Sequence, residues 1–233
     1  KALSFMMHSE KIKEKDPKTK KTKVVAEKTL RGGNPYVSVE GFSKTTALKS
    51  IKLPAELESI HSKMFQNSGV AFIDMSECTK IKSIGDRAFQ YCKKITEITI
   101  PDSVTYTGES LFAWCENLKK VNIGKSTAGF NAYDFLGTYA LEEITVDSQN
   151  TAYTVIDGVL YNKKVTKLIY CPPSKTGDLI VPVSVKEVCD FAFDEINLDS
   201  VTFLNPEIEL GYELYFGETL LKATEGSTVE EYA

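Results

Sequence analysis

The sequence predicts a repeat solenoid, mainly β-structure with short helical turns, built from about seven or eight stacked coils. Three observations predict it. An aromatic residue recurs at Phe42, Phe65, Phe89, Phe112, Phe135, Phe193 and Phe216, in steps of 23, 24, 23, 23, 58 and 23. Five residues before most of these stands Val37, Ile60, Ile84, Thr107, Phe130 or Val188, with the match shifting to Leu210 in the last repeat. After the aromatics come apolar triplets: Leu48/Ile51/Leu53, Val70/Ile73/Met75, Ile95/Ile98/Ile100, Leu118/Val121/Ile123, Leu141/Ile144/Val146 and Leu198/Val201/Phe203. The last two members of each triplet alternate with another residue, as a half-buried strand requires. A unit of about 23 residues cannot bury its own apolar face. Stacked copies can, each strand pairing with the next at about 4.8 Å, which makes a curved slab roughly 35–40 Å long.

Taken in order, the chain opens with a basic arm or cap, residues 1–34. Residues 1–31 hold nine Lys and one Arg against four acids, and Thr22-Lys23-Val24-Val25 reads as a capping strand. The repeat domain spans 35–233. Its inward positions form three columns: the Phe ladder, the Ile/Val ladder, and one holding Cys92 and Cys115. Pro54, Pro101 and Pro182 stand just after strands, where a missing N–H turns the chain out of the ladder. The repeat between Phe65 and Phe89 carries extra residues at Ser76-Glu77-Cys78-Thr79-Lys80 and a shortened link before Val70, which predicts a bulge.

The largest interruption is 147–178. Tyr153–Ile156 and Val159–Tyr161 flank Asp157-Gly158, a type I′ hairpin signal because both turn positions need positive φ. A second turn at Asn162-Lys163-Lys164 leads to Val165–Tyr170, and Cys171-Pro172-Pro173 ends the insertion. The phase resumes at Leu179-Ile180-Val181-Pro182. At the C-terminus, residues 221–233 form a cap: Ser227-x-x-Glu230 is a capping box and predicts a short helix closing the last coil.

Composition bounds the function. The 233 residues are 42% hydrophobic and 26% charged, ordinary for a soluble globular protein. No apolar run approaches the ~18 residues of a membrane helix. Net charge is −4, but residues 187–233 hold twelve acids against Lys222 alone, so the two ends are oppositely charged. Five cysteines without a C-x-x-C, and only His8 and His61, make neither a disulfide framework nor a zinc site.

The stretch Ile84-Gly85-Asp86-Arg87-Ala88-Phe89-Gln90-Tyr91-Cys92, continuing through Ile95, Ile98, Ile100, Pro101, Ser103 and Val104, resembles the BspA-like (Treponema-type) leucine-rich repeat of bacterial surface proteins. That unit reads roughly I-G-x-x-A-F-x-x-C-x-x-L-x-x-I-x-I-P-x-S-V. The Asp157–Asn162 insert and the tail from Glu225 also resemble family features. The resemblance covers about residues 35 to 233. Thr107 and Leu111 depart from the usual Ile and Ala, Met64 and Asp134 also replace that Ala, and Cys78 replaces the Pro. The resemblance implies a curved right-handed leucine-rich-repeat-like stack, an extracellular or cell-surface location, and a binding or adhesin role. It brings no catalytic residues.

Catalysis needs convergent groups of matched pKa, and the sequence offers no such constellation, cofactor motif or metal cluster. His61 reads as a surface turn residue in the slot where the family has Gly. Cys92 and Cys115 occupy equivalent slots of adjacent coils, as buried small side chains or as a pair within disulfide reach. Cys78, in the bulge, is the cysteine expected to be exposed. Arg31-Gly32-Gly33-Asn34-Pro35 lacks the Lys-Ser/Thr of a phosphate loop. The Lys18–Lys23 run lacks interleaved aromatics, so no nucleic-acid partner is expected. What remains is the outward side of the strands: Phe72, Asp74, Glu97, Thr99, Lys120, Asn122, Glu143 and Thr145 are the expected binding residues. Phe72 stands out as an apolar residue at an outward position. The expected role is a non-enzymatic, monomeric surface or secreted module binding protein or glycan, possible ligands being host or matrix molecules. A stalk segment of a larger protein, or a repeat domain appended to an enzyme, are the other readings.

Overall fold

The computed structural model describes residues 41–232 and, nearer the N-terminus, the backbone of 13–15 and 22–24. Lys13–Lys15 pairs antiparallel with Thr22–Val24 in a two-stranded sheet, so Thr22–Val24 is a strand as expected. The rest of the basic arm, and Val37, lie outside the described residues.

From Gly41 onward the chain is a β-solenoid of about eight turns, mostly strand, with one short C-terminal helix. Most coils contribute two strands, which line up as two parallel ladders, each interrupted along its length. The first ladder carries the apolar triplets: Ser50–Lys52, Phe72–Asp74, Glu97–Thr99, Lys120–Ile123, Glu143–Val146, Asp178–Val181, Ser200–Phe203 and Leu220–Lys222. The second carries the residue five before the aromatic, in two-residue strands at Ser59–Ile60, Ser83–Ile84 and Tyr106–Thr107, then at Glu187–Val188 and Glu209–Leu210. Alternation decides which side faces inward. Ile51, Ile73, Ile98, Val121, Ile144, Leu179 and Val201 are buried between more exposed neighbours.

The segments read from sequence as turns form a third bonded column. Arg87, Phe89 and Tyr91 donate backbone N–H bonds to Glu109, Leu111 and Ala113 of the next coil at 2.8, 3.1 and 2.9 Å, and Lys63, Phe65 and Asn67 do the same to Asp86, Ala88 and Gln90. In five coils the geometry requires left-handed backbone at two positions. They are Lys63 and Asn67, Arg87 and Tyr91, Ser110 and Trp114, Phe191 and Glu195, Glu213 and Gly217, all with φ between 53° and 63°. Most of these carry side chains, so the strain of αL backbone is borne by repetition of the inter-coil bonds. Gly85, by contrast, is not a left-handed residue. An added Cβ would meet Ser62 backbone nitrogen of the preceding coil at 2.5 Å, so this glycine serves close approach of coils.

The aromatic column is continuous along the first five coils. Ring centroids are 5.2 Å apart for Phe42–Phe65, 5.7 Å for Phe65–Phe89, 5.9 Å for Phe89–Phe112 and 6.1 Å for Phe112–Phe135. Across the long step to Phe193, Tyr170 takes the next place, 4.9 Å from Phe135. Tyr170 belongs to the insertion, a meander of Tyr153–Ile156, Val159–Asn162 and Lys167–Tyr170. Asp157 and Gly158 have φ of 50° and 77°, as a type I′ turn demands. The meander's last strand pairs parallel with Glu187–Val188 and so rejoins the second ladder. The chain closes on helix Thr228–Tyr232, where Ser227 Oγ accepts the Glu230 N–H at 3.4 Å and the Glu230 carboxylate accepts the Gly226 N–H.

The cysteines are free and buried. Cys92 and Cys115 donate to the Phe65 and Phe89 carbonyls of the preceding coils at 2.9 and 3.1 Å. Their column also holds Ser68 and Thr138, so it selects small side chains with a donor. Cys78 corrects its sequence reading: it is buried, its sulfur 3.6 and 3.5 Å from the Leu53 and Pro54 carbonyls. The extra residues precede it, and it fills the position that Pro101 fills one coil later.

Candidate interaction face

The outward side of the first ladder places all eight expected residues on one surface and divides them into two groups. Six are joined to one another across coils. Asn122 Nδ2 donates to Glu97 Oε1 and to Thr99 Oγ1, both at 3.0 Å, and its Oδ1 accepts from Thr145 Oγ1 at 2.7 Å. Lys120 Nζ lies 3.0 Å from Glu143 Oε2, and beside it Lys119 lies 2.7 Å from Glu142. Exposed pairs of this kind contribute about 0–1 kcal/mol each. Their larger effect is to commit polar groups to each other, leaving the coil edges laced and their side chains held.

Phe72 and Asp74 belong to a different place. Phe72 is 59% exposed. Asp74 accepts from Ser76 N–H at 3.0 Å and Ser76 Oγ at 2.7 Å, which holds its carboxyl below the usual range. Beyond their strand the first ladder stops. Phe72–Asp74 pairs only with Ser50–Lys52, and Glu97–Thr99 only with Lys120–Ile123.

The rungs that close every neighbouring step are absent here. Leu53 N–H bonds Asp74 carbonyl at 2.9 Å and Ile100 N–H bonds Asn122 carbonyl at 2.8 Å, but Met75 makes no such bond to Thr99. Lys120 N–H reaches Thr96 carbonyl, whereas Glu97 N–H does not reach Ala71. The cause is local and covalent. Met75 and Ile81 stand six residues apart where Ile100 and Val104 stand four apart. The surplus pair, Ser76-Glu77, displaces the strand's exit, and the expected bulge becomes a break in the ladder.

A cleft of about 910 Å³ lies over this seam. Ile73, Met75 and Ile98 line it on the strand side, and Asp102, Ser103, Lys82 and Lys125 where the chain turns out of the strands. The sequence reading missed these turn residues. Their signal was the two-residue surplus, which marks where two coils cannot zip.

The titratable groups buried elsewhere do not form a reaction centre. Burial pushes the Cys78, Cys92 and Cys189 thiols up to about 11 and Cys171 to about 12, away from nucleophilic thiolate. Asp134, at the family's Ala position, is wholly buried. Its oxygens accept N–H bonds from Leu111 and Asn131, each at 2.9 Å, while desolvation raises its pKa to about 7. It pins one coil to the next. His61 sits half-buried in the turn after Ile60. Among the described residues, no three His, Cys, Asp or Glu side chains are placed to hold a metal ion, and no helix is long and apolar enough to cross a membrane.

Comparison with known proteins follows the architecture. The model of the BspA type leucine rich repeat region matches residues 36–166 in six copies. No curated protein matches the chain. Among solved structures, the chain is similar to a leucine-rich repeat protein from Eubacterium ventriosum, with 25% identity and a TM-score of 0.61 over 72% of this chain and 45% of that one. It is also similar to the pneumococcal vaccine antigen PcpA, with 23% identity and a TM-score of 0.57 over 76% of this chain and 50% of that one. The chain thus spans about half the length of these structures. With six repeat copies matched and both ladders and the aromatic column in place, the chain belongs to the BspA type leucine-rich repeat family.

Proposed function

We propose that this chain is a non-enzymatic interaction module, monomeric and acting outside the cell or at its surface, that binds a protein or glycan through the outward face of the first ladder. The observation that supports it most is that face itself. It runs over successive coils and presents residues that change from coil to coil on a repeated backbone plan. The laced group from Glu97 to Thr145 and the exposed Phe72 give it rigid polar and apolar contacts. Family membership supports the extracellular location and the adhesin-type role.

Binding to immobilised mucin, matrix proteins and a glycan array tests this. A Thr99→Lys, Thr145→Lys variant should bind at least tenfold more weakly, while Lys94→Glu, away from the ladder, binds as the parent does. Equal binding by all three chains would refute the reading, as would substrate turnover lost on a single substitution.

A stalk segment is the second reading. It is favoured by the final coil, where Tyr212, Tyr215 and Leu220 are exposed, and by the opposite charge of the two ends of the sequence. Salt-sensitive growth of assemblies in light scattering would favour it, and a strict monomer at low salt would exclude it.

A further inference from the structure

Where the insertion enters, the column of turns loses a member. The insertion brings a strand there, Lys167–Tyr170, which stacks Tyr170 on Phe135 of the coil before and pairs with Glu187–Val188 of the coil after. A cavity of about 340 Å³ remains beside that strand. Glu109, Asn131 and Tyr133 wall it from the earlier coils, and Lys167, Glu187 and Asp190 from the insertion and the coil that follows. It shares no residue with the outward face of the first ladder.

Three features of the wall suit a cation that carries several N–H donors. The carboxylates of Glu109, Glu187 and Asp190 stand against the single ammonium of Lys167, which Glu187 already pairs at 2.5 Å. Asp190 Oδ1 accepts the Tyr212 N–H at 2.8 Å, while its Oδ2 and the Glu109 carboxylate make no hydrogen bond or ion pair among the described residues. Tyr133 is exposed and meets Phe191 edge-on, with centroids 4.9 Å apart. Desolvation, then the Asp190 and Glu213 carboxylates, raise its phenol pKa, so negative charge lies beside a ring whose face attracts cations. Last, Asn131 Oδ1 is a buried acceptor that no donor among the described residues satisfies. The terminal torsion of an amide is soft, so a ligand N–H can draw it into the cavity.

We propose that this cavity receives an arginine side chain of a protein partner, its guanidinium held by Glu109 and Asp190 and resting against the Tyr133 ring. A guanidinium fits these walls because its planar fork offers five donors, stacks on aromatic rings and is weakly hydrated. An ammonium is a compact, strongly hydrated charge that serves fewer acceptors. The cavity lies at the lower end of the ~300–1,000 Å³ typical of ligand sites, which suits one side chain. Charge complementarity selects the partner surface. Between Lys186 and Lys222 the chain has nine Asp and Glu and no Lys or Arg, so the coils around the cavity steer a basic surface towards it. The site lies apart from the ladder face, and either can fail without the other.

NMR titration of the full chain tests the inference. The probe is a blocked pentapeptide, glycine-serine-arginine-serine-glycine, isotopically labelled in the arginine. Its side-chain signals should shift on adding the chain and show through-space contacts to the Tyr133 ring. The citrulline peptide keeps the shape without the charge and should bind at least tenfold more weakly, and the lysine peptide severalfold more weakly. Glu109→Gln with Asp190→Asn should weaken arginine binding at least tenfold, the amide oxygen at 190 still accepting the Tyr212 N–H. Tyr133→Leu should weaken it severalfold. Unfolding midpoints of the variants show that each is folded, and the Tyr133 contact in the parent chain needs no variant.

Equal binding of the arginine and citrulline peptides overturns the inference, as do contacts that map away from Tyr133. Lysine bound as tightly as arginine overturns the assignment to a guanidinium. A Tyr133 ring signal that moves on Arg31→Gln, with no peptide present, would give the cavity to the basic segment of this chain or of a second copy and overturn the assignment to a partner. Mucin, matrix and glycan binding, measured on the same preparations, separates this site from the ladder face. Thr99→Lys, Thr145→Lys should leave arginine binding unchanged, and loss of it in that variant would refute a separate site.

Discussion

The two halves of the same ladder behave differently although their coils share one plan. From Glu97 to Val146 every rung is made and the outward side chains lace coil to coil. Between Phe72–Asp74 and Glu97–Thr99 no rung is made. Yet the other columns run through the seam undisturbed. Ser59–Ile60 still pairs with Ser83–Ile84, and Phe65 still stacks on Phe89 at 5.7 Å. Coil spacing is therefore set by the aromatic column, the second ladder and the bonded turns. The first ladder closes only where its residue count allows. A repeat protein can leave a ladder unzipped on one face without loosening its core, and two residues suffice.

Breaking the core should have the largest effect and should not respect the division. Phe89 is fully buried between Phe65 and Phe112. Phe89→Ala removes a ring from the column shared by open and closed coils, at a cost of about 3–5 kcal/mol. Denaturant unfolding followed by circular dichroism measures it. A loss below about 1 kcal/mol would show that the column does not set coil spacing.

Asp134 gives the closed region a pH dependence near neutrality. Its folded pKa of about 7 lies above its ordinary 3.8 because burial disfavours the charge, with Glu109 and Asp86 adding repulsion. The neutral carboxyl therefore contributes stability that is fully present below about pH 4 and lost as pH rises through about 7. Between those limits the loss is at most about 1.4 kcal/mol per pH unit. Asp134→Asn should flatten that slope in unfolding curves taken from pH 4 to 8. It should be less stable than the parent at pH 4, since its amide turns an NH₂ towards a backbone donor, and gain relative to it by pH 8. An unchanged slope would place the titration elsewhere.

Much of the fold was legible because the repeats are packing columns, and a column must recur to stack. Phe42 to Phe135 announced the aromatic column, and Asp157-Gly158 announced a turn needing two positive φ angles. Other features had no residue type to mark them. Arg87, Tyr91, Ser110 and Trp114 adopt left-handed backbone that their side chains do not favour, because inter-coil hydrogen bonds impose it. Tyr170 enters the Phe column from an insertion whose length hides the phase. The surplus Ser76-Glu77 was visible as a bulge, but its consequence depends on whether the next strand can follow, which is a three-dimensional matter. Cys78 was misread for the same reason: the residues before it loop out, and it turns in.

Deleting Ser76 and Glu77 should convert the open region into a copy of the closed one. With Met75 and Ile81 restored to the common spacing, the Met75–Thr99 and Glu97–Ala71 rungs can form. Exchange of the Ile73, Met75, Glu97 and Thr99 amides should then slow about 100-fold, a gain of about 2.7 kcal/mol in local opening. Asp74 would lose its two Ser76 bonds and Lys52 its partner Glu77, 2.6 Å away. These are exposed interactions and their loss is small beside new ladder bonds. Unaltered exchange would mean that something other than residue count holds the seam apart.

The smallest effect on stability belongs to the residue that defines the open region. Phe72 is 59% exposed and its backbone N–H is already bonded to Lys49. Phe72→Ala removes a ring largely in contact with water and leaves that bond in place, so global stability should move by no more than about 0.5 kcal/mol in either direction. Phe89→Ala removes the same group from the column at several times that cost. If Phe72→Ala proved equally costly, the exposed ring would be part of the packing that supports the coil, and the distinction between a scaffold column and a surface that a partner reads would fail where it matters most. A change confined to binding at the ladder face, with the unfolding midpoint unaltered, would make that distinction quantitative.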